Sequence, residues 1–233
     1  MGCALAYQLA KRKVDVLLLE RETLGSQSTG KCAGGVRQQF STEANVRVQR
    51  LSVKLLEAFE EETGHPADFR QIGYLFVFTQ PQQVEDFRHN MDMWHRVGLT
   101  EARWVDPAEA AKMVPVLNVE DVLGCTFCPT DGIASPADVT SGYAIAARRL
   151  GARLKEGVEV TGIDLAAGRV QGVRTSAGEI ATRMVVKAVE GDPAHGPDSA
   201  LVAAMGFVPD SLKRSGKTNR SNGNGNGNGQ PHA

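Results

Sequence analysis

The chain has 233 residues, with 26 basic and 27 acidic side chains and a net charge of −1 at pH 7. A hydrophobic content of 42% and a charged content of 23% are typical of globular proteins and exclude a chain that is disordered throughout. The near-zero charge gives no long-range field to attract nucleic acid or an anionic membrane. No apolar run approaches the ~20 residues of a membrane span. Four cysteines indicate no disulfide scaffold, so we expect a reducing, cytoplasmic location.

The first sixty residues predict a helix, a strand, a loop and a second helix. Apolar residues at helical spacing predict a helix from Gly2 to about Lys11. The run VDVLLLE, residues 14–20, is almost continuously apolar, which is typical of a strand buried on both faces. A loop rich in glycine and hydroxyl residues covers 24–36. A long helix is predicted from Ser41 to about Thr63, with Ser41 or Thr42 as its N-cap.

The rest of the chain alternates strands and helices and then becomes mainly β-structure. Strands are predicted at 73–79, 122–128, 152–155, 158–164, 169–176 and 179–189, and helices at 81–97, 107–113 and 136–150. Ser135 followed by Pro136 is a strong start signal for the last helix. Ala177-Gly178 predicts the turn of the final hairpin. Residues 191–212 have no assignment, and the Asn-Gly-rich stretch 213–233 predicts a disordered tail.

The first helix and strand form two-thirds of a dinucleotide-binding βαβ unit. In that unit a G-x-G-x-x-G turn brings main-chain N–H groups and a helix N-terminus to a pyrophosphate, and an acid after the second strand holds a ribose. Gly2 fits the third glycine, and Glu20 has the spacing of the acid. The alternative is an accidental glycine and a strand-end charge. The loop at 24–36 favours the first interpretation, because its hydroxyls and glycines suit a main chain that wraps a phosphate or planar ring.

Two segments carry a family resemblance. The runs GCALAYQLAKRKVDVLLLERETLGSQSTGKCAGGVRQQF and FCPTDGIASPADVTSGYAIAARRLGARLKEGVEVTGI resemble the FAD-dependent oxidoreductases of the D-amino-acid oxidase, sarcosine oxidase and dimethylglycine dehydrogenase family. The resemblance implies an α/β fold. A Rossmann-like FAD-binding domain of the glutathione-reductase type would comprise residues 1–70 and 130–190, and part of a mixed-sheet substrate domain would comprise 71–129. The implied reaction oxidises the C–N bond of a small amine or amino-acid substrate by hydride transfer to FAD.

The resemblance also implies which residues hold the adenosine end of FAD. Gly2 matches the glycine at the pyrophosphate, and Glu20 matches the acid on the adenosine ribose. Arg21 lies where the family has a basic residue beside the adenine. Val160 matches the strand residue whose backbone meets the adenine.

A second set of residues matches the flavin end. Ser28, Thr29, Gly34 and Gly35 match the loop that passes the isoalloxazine ring, and Arg37 matches a basic position near it. Lys31 stands where members with covalently attached flavin have a histidine. The resemblance therefore implies FAD bound without a covalent bond.

Parts of the family pattern have no counterpart in the sequence. Because it begins at Met1-Gly2, the first strand and the first two glycines of the fingerprint are missing. The family's carboxy-terminal flavin-binding glycine segment has no match either. We therefore expect an incomplete copy, which is either an active oxidoreductase or an inactive flavoprotein fragment that binds nucleotide or serves as an interaction domain. The sequence assigns no catalytic residue.

The remaining cysteines and histidines favour structural roles. Cys125 and Cys128 form a C-x-x-C, but a strand would direct their side chains to opposite faces, which argues against a redox pair or zinc site. Cys32, in the glycine-rich loop, is interpreted as a packing residue rather than a reactive thiol. The five histidines show no ligand spacing, so no metal site is predicted.

Overall fold

The computed structural model describes residues 1–186, which form a mixed α/β fold. The helices are α1 Gly2–Lys11, α2 Glu43–Glu57, α3 Phe59–Thr63, α4 Pro81–Arg96, α5 Pro107–Met113 and α6 Pro136–Arg149, with a 3₁₀-helix at Thr29–Lys31. The strands are β1 Leu17–Leu19, β2 Gly35–Val36, β3 Tyr74–Phe78, β4 Arg103–Val105, β5 Gly124–Cys128, β6 Gly132–Ile133, β7 Arg153–Lys155, β8 Val160–Ala166, β9 Arg169–Thr175 and β10 Gly178–Ala181. Both parallel and antiparallel pairing occur, which confirms the predicted α/β class.

A parallel pair of strands supports the first part of the predicted dinucleotide unit. β1 pairs with β7 in parallel, with Leu18 opposite Leu154. Helices α1 and α6 pack together through alanines, among them Ala6, Ala10 and Ala147, which are at most 4% exposed. The small side chains let the helix backbones approach closely. The prediction of a strand at 14–20 buried on both faces was wrong in extent and burial. Only 17–19 pair, and they are half-buried; within residues 1–186, β1 has a hydrogen-bonded strand on one edge only.

A three-stranded antiparallel sheet with the order β3-β5-β4 builds the middle of the chain. One core cluster contains Trp94 of α4 together with Cys128, and another contains Val105, Ala110 and Cys125. The two cysteines therefore belong to different clusters, which confirms that they face opposite sides of the strand. Strands β8, β9 and β10 form a separate antiparallel meander.

Some predicted boundaries were wrong for identifiable reasons. The predicted helix 41–63 divides at Ala58 into α2 and α3, and Phe59 at the start of α3 is 1% exposed, with its ring edge-on to Tyr143 of α6 at 4.8 Å. The final hairpin turns at 176–177 rather than 177–178, because Thr175 pairs with Gly178. The strands β2, β4 and β6 were not predicted, because two or three residues are too few to show an alternating hydrophobic pattern.

Other expectations are not tested. The division into domains at 1–70 with 130–190 and at 71–129 stays a prediction. The end of the strand predicted at 179–189, the unassigned 191–212 and the predicted tail 213–233 lie outside the described residues from 187 onward. Within residues 1–186, no helix combines the length and apolar character needed to cross a membrane.

Candidate flavin site

The carboxyl ends of β1 and β7 bring Glu20 beside the chain that follows β7. The Glu20 main chain donates to the carbonyl of Lys155 and accepts from Val158, both at 2.9 Å. The N–H of Leu24 donates to Oε1 of Glu156 at 2.7 Å. Glu20 is half-buried, and its Oε1 accepts the N–H of Glu22 at 3.0 Å. This edge therefore presents the Glu20 carboxylate, which is held by the main-chain N–H two residues further along the chain.

The start of α1 lies at the same edge. A short turn joins α1 to β1, with the N–H of Val14 donating to the carbonyl of Leu9, so the helix runs back along the strand and begins where the strand ends. Burial raises the pKa of the Cys3 thiol, and the charges of Glu156 and Glu20 raise it further, against the opposing effects of the N-terminal ammonium and Arg148. The carboxylates therefore lie near the first turn of α1, where main-chain N–H groups have no partner within the helix.

A loop and a cavity adjoin this edge. The 3₁₀-helix at Thr29–Lys31 packs on α6, and the cavity between them has a volume of about 380 Å³. Its lining is a mixture of small, hydroxyl and charged residues, among them Thr29, Gly30, Thr140, Arg148 and Glu156. Ser28 is exposed at the start of the 3₁₀-helix. The loop thus presents hydroxyls and main chain close to the edge that carries Glu20.

Gly34 and Gly35, which follow this loop, differ in whether the structure requires glycine at their position. Gly34 has a φ of +76°, and a β-carbon there would collide with the carbonyl oxygen of Ala134. The Ala134 N–H in turn donates to the Gly34 carbonyl at 2.9 Å. Gly35 is exposed, and its nearest neighbour for an added β-carbon is Tyr74 at 3.8 Å. Glycine at 34 is therefore required by the protein's own backbone, whereas Gly35 leaves open surface.

Arg37 lies against aromatic rings rather than an acid. Its guanidinium carbon is 4.6 Å from the ring centroid of Phe40 and 5.5 Å from that of Phe76. Among the residues that the structure describes, no carboxylate lies within ion-pair distance of it. Stacking fixes the plane of the guanidinium. The N–H groups at its edge suit a carboxylate or phosphate.

Sequence reasoning missed one buried polar group. Asp131, in the turn between β5 and β6, is 0% exposed and accepts three hydrogen bonds from Gln38 and Gln39, which are 3% exposed. Burial raises the pKa of this carboxyl above its ordinary value, although the hydrogen bonds oppose the rise. The signal available in the sequence was an Asp-Gly turn at the end of an apolar strand, together with two adjacent glutamines.

Eight of the nine predicted site residues fall into three groups. Glu20 and Arg21 lie beside the segment that leads through Val158 to Val160, which is 42% exposed on β8. Arg21 is exposed, and its Nε lies 3.7 Å from Oε1 of Glu22. Ser28 and Thr29 form the second group, and Gly34, Gly35 and Arg37 form the third, just before, on and just after β2. Gly2 begins α1. The roles of these nine residues in binding remain predictions.

The cysteines are free thiols, three of them buried and one exposed. Burial raises the pKa of Cys125, and it raises that of Cys128 to about 11, so both are protonated thiols near neutral pH. Cys32 is exposed, and its Sγ lies 3.3 Å from the carbonyl of Thr29. Within residues 1–186, no group of three or more His, Cys, Asp or Glu side chains is arranged to hold a metal ion.

The chain is similar to dehydrogenases of methylated glycines. It is 34% identical to mitochondrial dimethylglycine dehydrogenase of Homo sapiens over 192 residues, which cover 81% of this chain and 22% of that protein. It is also 34% identical to mitochondrial sarcosine dehydrogenase of Homo sapiens, over 80% of this chain and 21% of that protein. The chain thus spans about a fifth of the length of these relatives.

A solved structure has the same fold over most of the chain. L-proline dehydrogenase from P. horikoshii superposes with a TM-score of 0.76 at 38% identity, covering 81% of this chain and 50% of that one. The sequence profile of the DAO family, described as FAD dependent oxidoreductase, matches residues 1–213. The chain therefore belongs to the DAO family of FAD-dependent oxidoreductases.

Proposed function

We propose that this chain binds FAD and takes part in oxidising the C–N bond of an N-alkylated amino acid. The single observation that carries the proposal is the edge formed by β1, β7 and the start of α1, which presents Glu20 as a dinucleotide site of this family requires. Dimethylglycine, sarcosine and L-proline, named in the similar proteins, each have an alkylated nitrogen next to a carbon that bears a carboxylate. The substrate class follows from that shared chemistry.

The residues at the edge fit the adenosine half of FAD. The half-buried carboxylate of Glu20 is a hydrogen-bond acceptor for ribose hydroxyls, and the first turn of α1 offers N–H groups and a positive dipole end to the pyrophosphate. Ser28 and Thr29 add hydroxyls nearby, and Arg21 and Val160 flank the place proposed for the adenine. When bound, the flavin supplies the chemistry by accepting a hydride from the carbon next to the amine nitrogen.

Arg37 has the features needed to bind the substrate carboxylate. The rings of Phe40 and Phe76 hold its guanidinium, and residues 1–186 place no acid against it. A carboxylate can therefore pair with its N–H edge without first displacing a protein partner. Such a contact would orient an amino acid through its unreactive end and leave the C–N bond free to face the flavin.

A second candidate function is nucleotide binding without turnover. One observation favours it: within the described residues, β1 has a hydrogen-bonded neighbour only at β7, so the other edge of β1 is unpaired. A fragment of this kind would retain Glu20 and bind FAD, but would not oxidise an amine.

The experiment that separates the two candidates adds FAD to the purified chain and removes the excess. FAD binding is expected to leave a yellow protein with an absorbance band near ~450 nm, and acid precipitation is expected to release the flavin because Lys31 replaces the attaching histidine. Under anaerobic conditions, sarcosine, dimethylglycine or L-proline should bleach that band. A folded chain that takes up no FAD would contradict both candidates, and a yellow protein that none of the three substrates bleaches would leave only the second.

For its location, we propose a reducing compartment, with the cytoplasm as first expectation. All four cysteines are free thiols, and two of them are fully buried. The similar human dehydrogenases are mitochondrial by name, so imaging of a tagged chain with mitochondrial and cytoplasmic markers tests this proposal. Signal confined to mitochondria would contradict the cytoplasmic expectation.

A further inference from the structure

Asp131 holds the segment that carries Arg37. Its Oδ1 accepts the main-chain N–H of Gln38 at 2.9 Å and the Nε2 of the same residue at 3.0 Å. Its Oδ2 accepts the Nε2 of Gln39 at 3.2 Å. These three donors come from the two residues that directly follow Arg37. Within residues 1–186, no cation forms an ion pair with this buried carboxylate.

Burying a carboxylate without a cation beside it costs free energy, because the charge loses its solvation. Desolvation opposes its charge, and the pKa of Asp131 is raised for that reason. A neutral side chain would avoid this penalty. The carboxylate does one thing that a neutral amide of the same size cannot do, because it presents acceptors on both oxygens to the donors of Gln38 and Gln39.

The remaining contacts fix the other parts of the segment 37–40. Gln39 Nε2 also donates to the carbonyl of Tyr74 at 3.0 Å, and the indole Nε1 of Trp94 donates to the carbonyl of Phe40 at 2.7 Å. The Phe40 ring in turn lies under the Arg37 guanidinium. Residues 37–40 are neither helix nor strand. The chain before Arg37 is held by the pairing of β2 with β6, and the chain after it is held by side-chain hydrogen bonds. Among these, the bonds to Asp131 hold Gln38, the residue directly after Arg37.

We propose that Asp131 is a positioning residue, which acts through the Gln38 main chain to set where Arg37 presents its guanidinium to the carboxylate of the substrate. This inference rests on the proposed function. The carboxylate does not itself touch substrate. Asp131→Asn keeps the shape but replaces one oxygen with an NH₂ group, which faces either both Gln38 donors or the Gln39 donor, so the segment 38–39 that follows Arg37 loses part of its anchor.

The test compares KM and kcat for the substrate that bleaches the wild-type flavin. Asp131→Asn is expected to raise KM about tenfold with kcat within about twofold, because binding of an unreactive carboxylate is lost equally from the ground and transition states. In an Arg37→Gln background, the same change should raise KM no further, since residues that act through one contact are not additive. The control is Thr126→Val, a buried change nearby, which should alter neither constant.

Two results would overturn the inference. One is a fall in kcat at constant KM in Asp131→Asn. The other is a rise in KM that multiplies with that of Arg37→Gln, because Asp131 would then act on binding by another route. If Asp131→Asn does not fold, Gln38→Met removes one side-chain donor and keeps the carboxylate. A rise in KM of about threefold is then expected, and an unchanged KM would count against the proposal.

Hydrogen exchange of the full chain provides a readout that needs neither FAD nor turnover. Asp131→Asn or Gln38→Met should speed exchange in the peptide that contains Gln38 by about tenfold, and Thr126→Val should not. If the wild type binds no FAD or oxidises no substrate, the proposed function fails, and exchange alone then decides whether Asp131 holds this segment. Unchanged exchange in both variants would overturn the positioning role.

Discussion

Gly34 and Ala134 approach each other so closely that only a hydrogen fits between the α-carbon of the first and the carbonyl oxygen of the second. The contact ties the loop after the 3₁₀-helix to the chain that leads into α6, next to the pairing of β2 with β6. The glycine-rich character of this loop thus has a cause within the protein itself.

The first prediction follows from that contact. Gly34→Ala should lower the free energy of unfolding by about 2–4 kcal/mol, because it adds a collision to a φ of +76°. Thermal or denaturant unfolding measures the loss. Gly35→Ala is the matched control, since its β-carbon would meet nothing closer than 3.8 Å, and its effect should stay within about 1 kcal/mol. Equal losses in the two variants would contradict the explanation.

Two fully buried threonines should respond oppositely to the same change. Thr63 Oγ1 donates to the carbonyl of Phe59 at 2.7 Å and accepts the N–H of His65 at 3.2 Å, whereas Thr126 Oγ1 has no hydrogen-bond partner within the described residues. Thr63→Val should cost about 1–3 kcal/mol in denaturant unfolding. Thr126→Val should be neutral or stabilising by up to about 1 kcal/mol, because it removes an unsatisfied buried hydroxyl. A destabilising Thr126→Val would indicate a partner for that hydroxyl.

FAD affinity should depend on Glu20 and not on its neighbour. Glu20→Gln is expected to weaken FAD binding about tenfold to a hundredfold, as a charged acceptor of hydroxyl groups becomes a neutral one. Titration followed by flavin fluorescence measures the dissociation constant. Glu22→Gln, two residues along and exposed, is the control and should leave the constant within about twofold. Equal weakening by both variants would mean that only net charge matters.

The ion pair between α1 and α3 should make stability depend on pH. Lys11 Nζ lies 2.7 Å from Oε2 of Glu62, and this bond, with that from Tyr7, lowers the pKa of Glu62 below its ordinary value of 4.5. A depressed carboxyl pKa means that the unfolded chain binds the proton more tightly. The contribution is therefore present above about pH 4.5 and is lost as the pH falls through the folded-state pKa.

Glu62→Gln should accordingly flatten the acid side of the curve of unfolding free energy against pH. The effect is expected to be small, since both side chains are at least 40% exposed. Glu61→Gln, on the same helix and exposed, is the control and should keep the wild-type slope. A curve that Glu62→Gln leaves unchanged would show that solvent and salt screen the pair completely.

Local sequence signals were sufficient for most elements. Ser135 with Pro136, and Asp106 with Pro107, mark the starts of α6 and α5, and both caps form, with Ser135 Oγ accepting from Asp138 and Asp106 Oδ1 from Glu109. Such contacts join residues three apart, so spacing alone specifies them. The two-residue strands β2 and β6 were missed because their pairing is held by residues about a hundred positions apart.

The sequence by itself determined most of the helices and strands, the opposite faces of Cys125 and Cys128, and the family to which the chain belongs. Each of these depends on periodicity or on motifs within a short window. Only the tertiary structure decided why Gly34 must be glycine, that Asp131 is buried under Gln38 and Gln39, and that Arg37 lies on Phe40 and Phe76. These features depend on contacts between segments distant in the chain, and burial and close approach exist only once those segments pack.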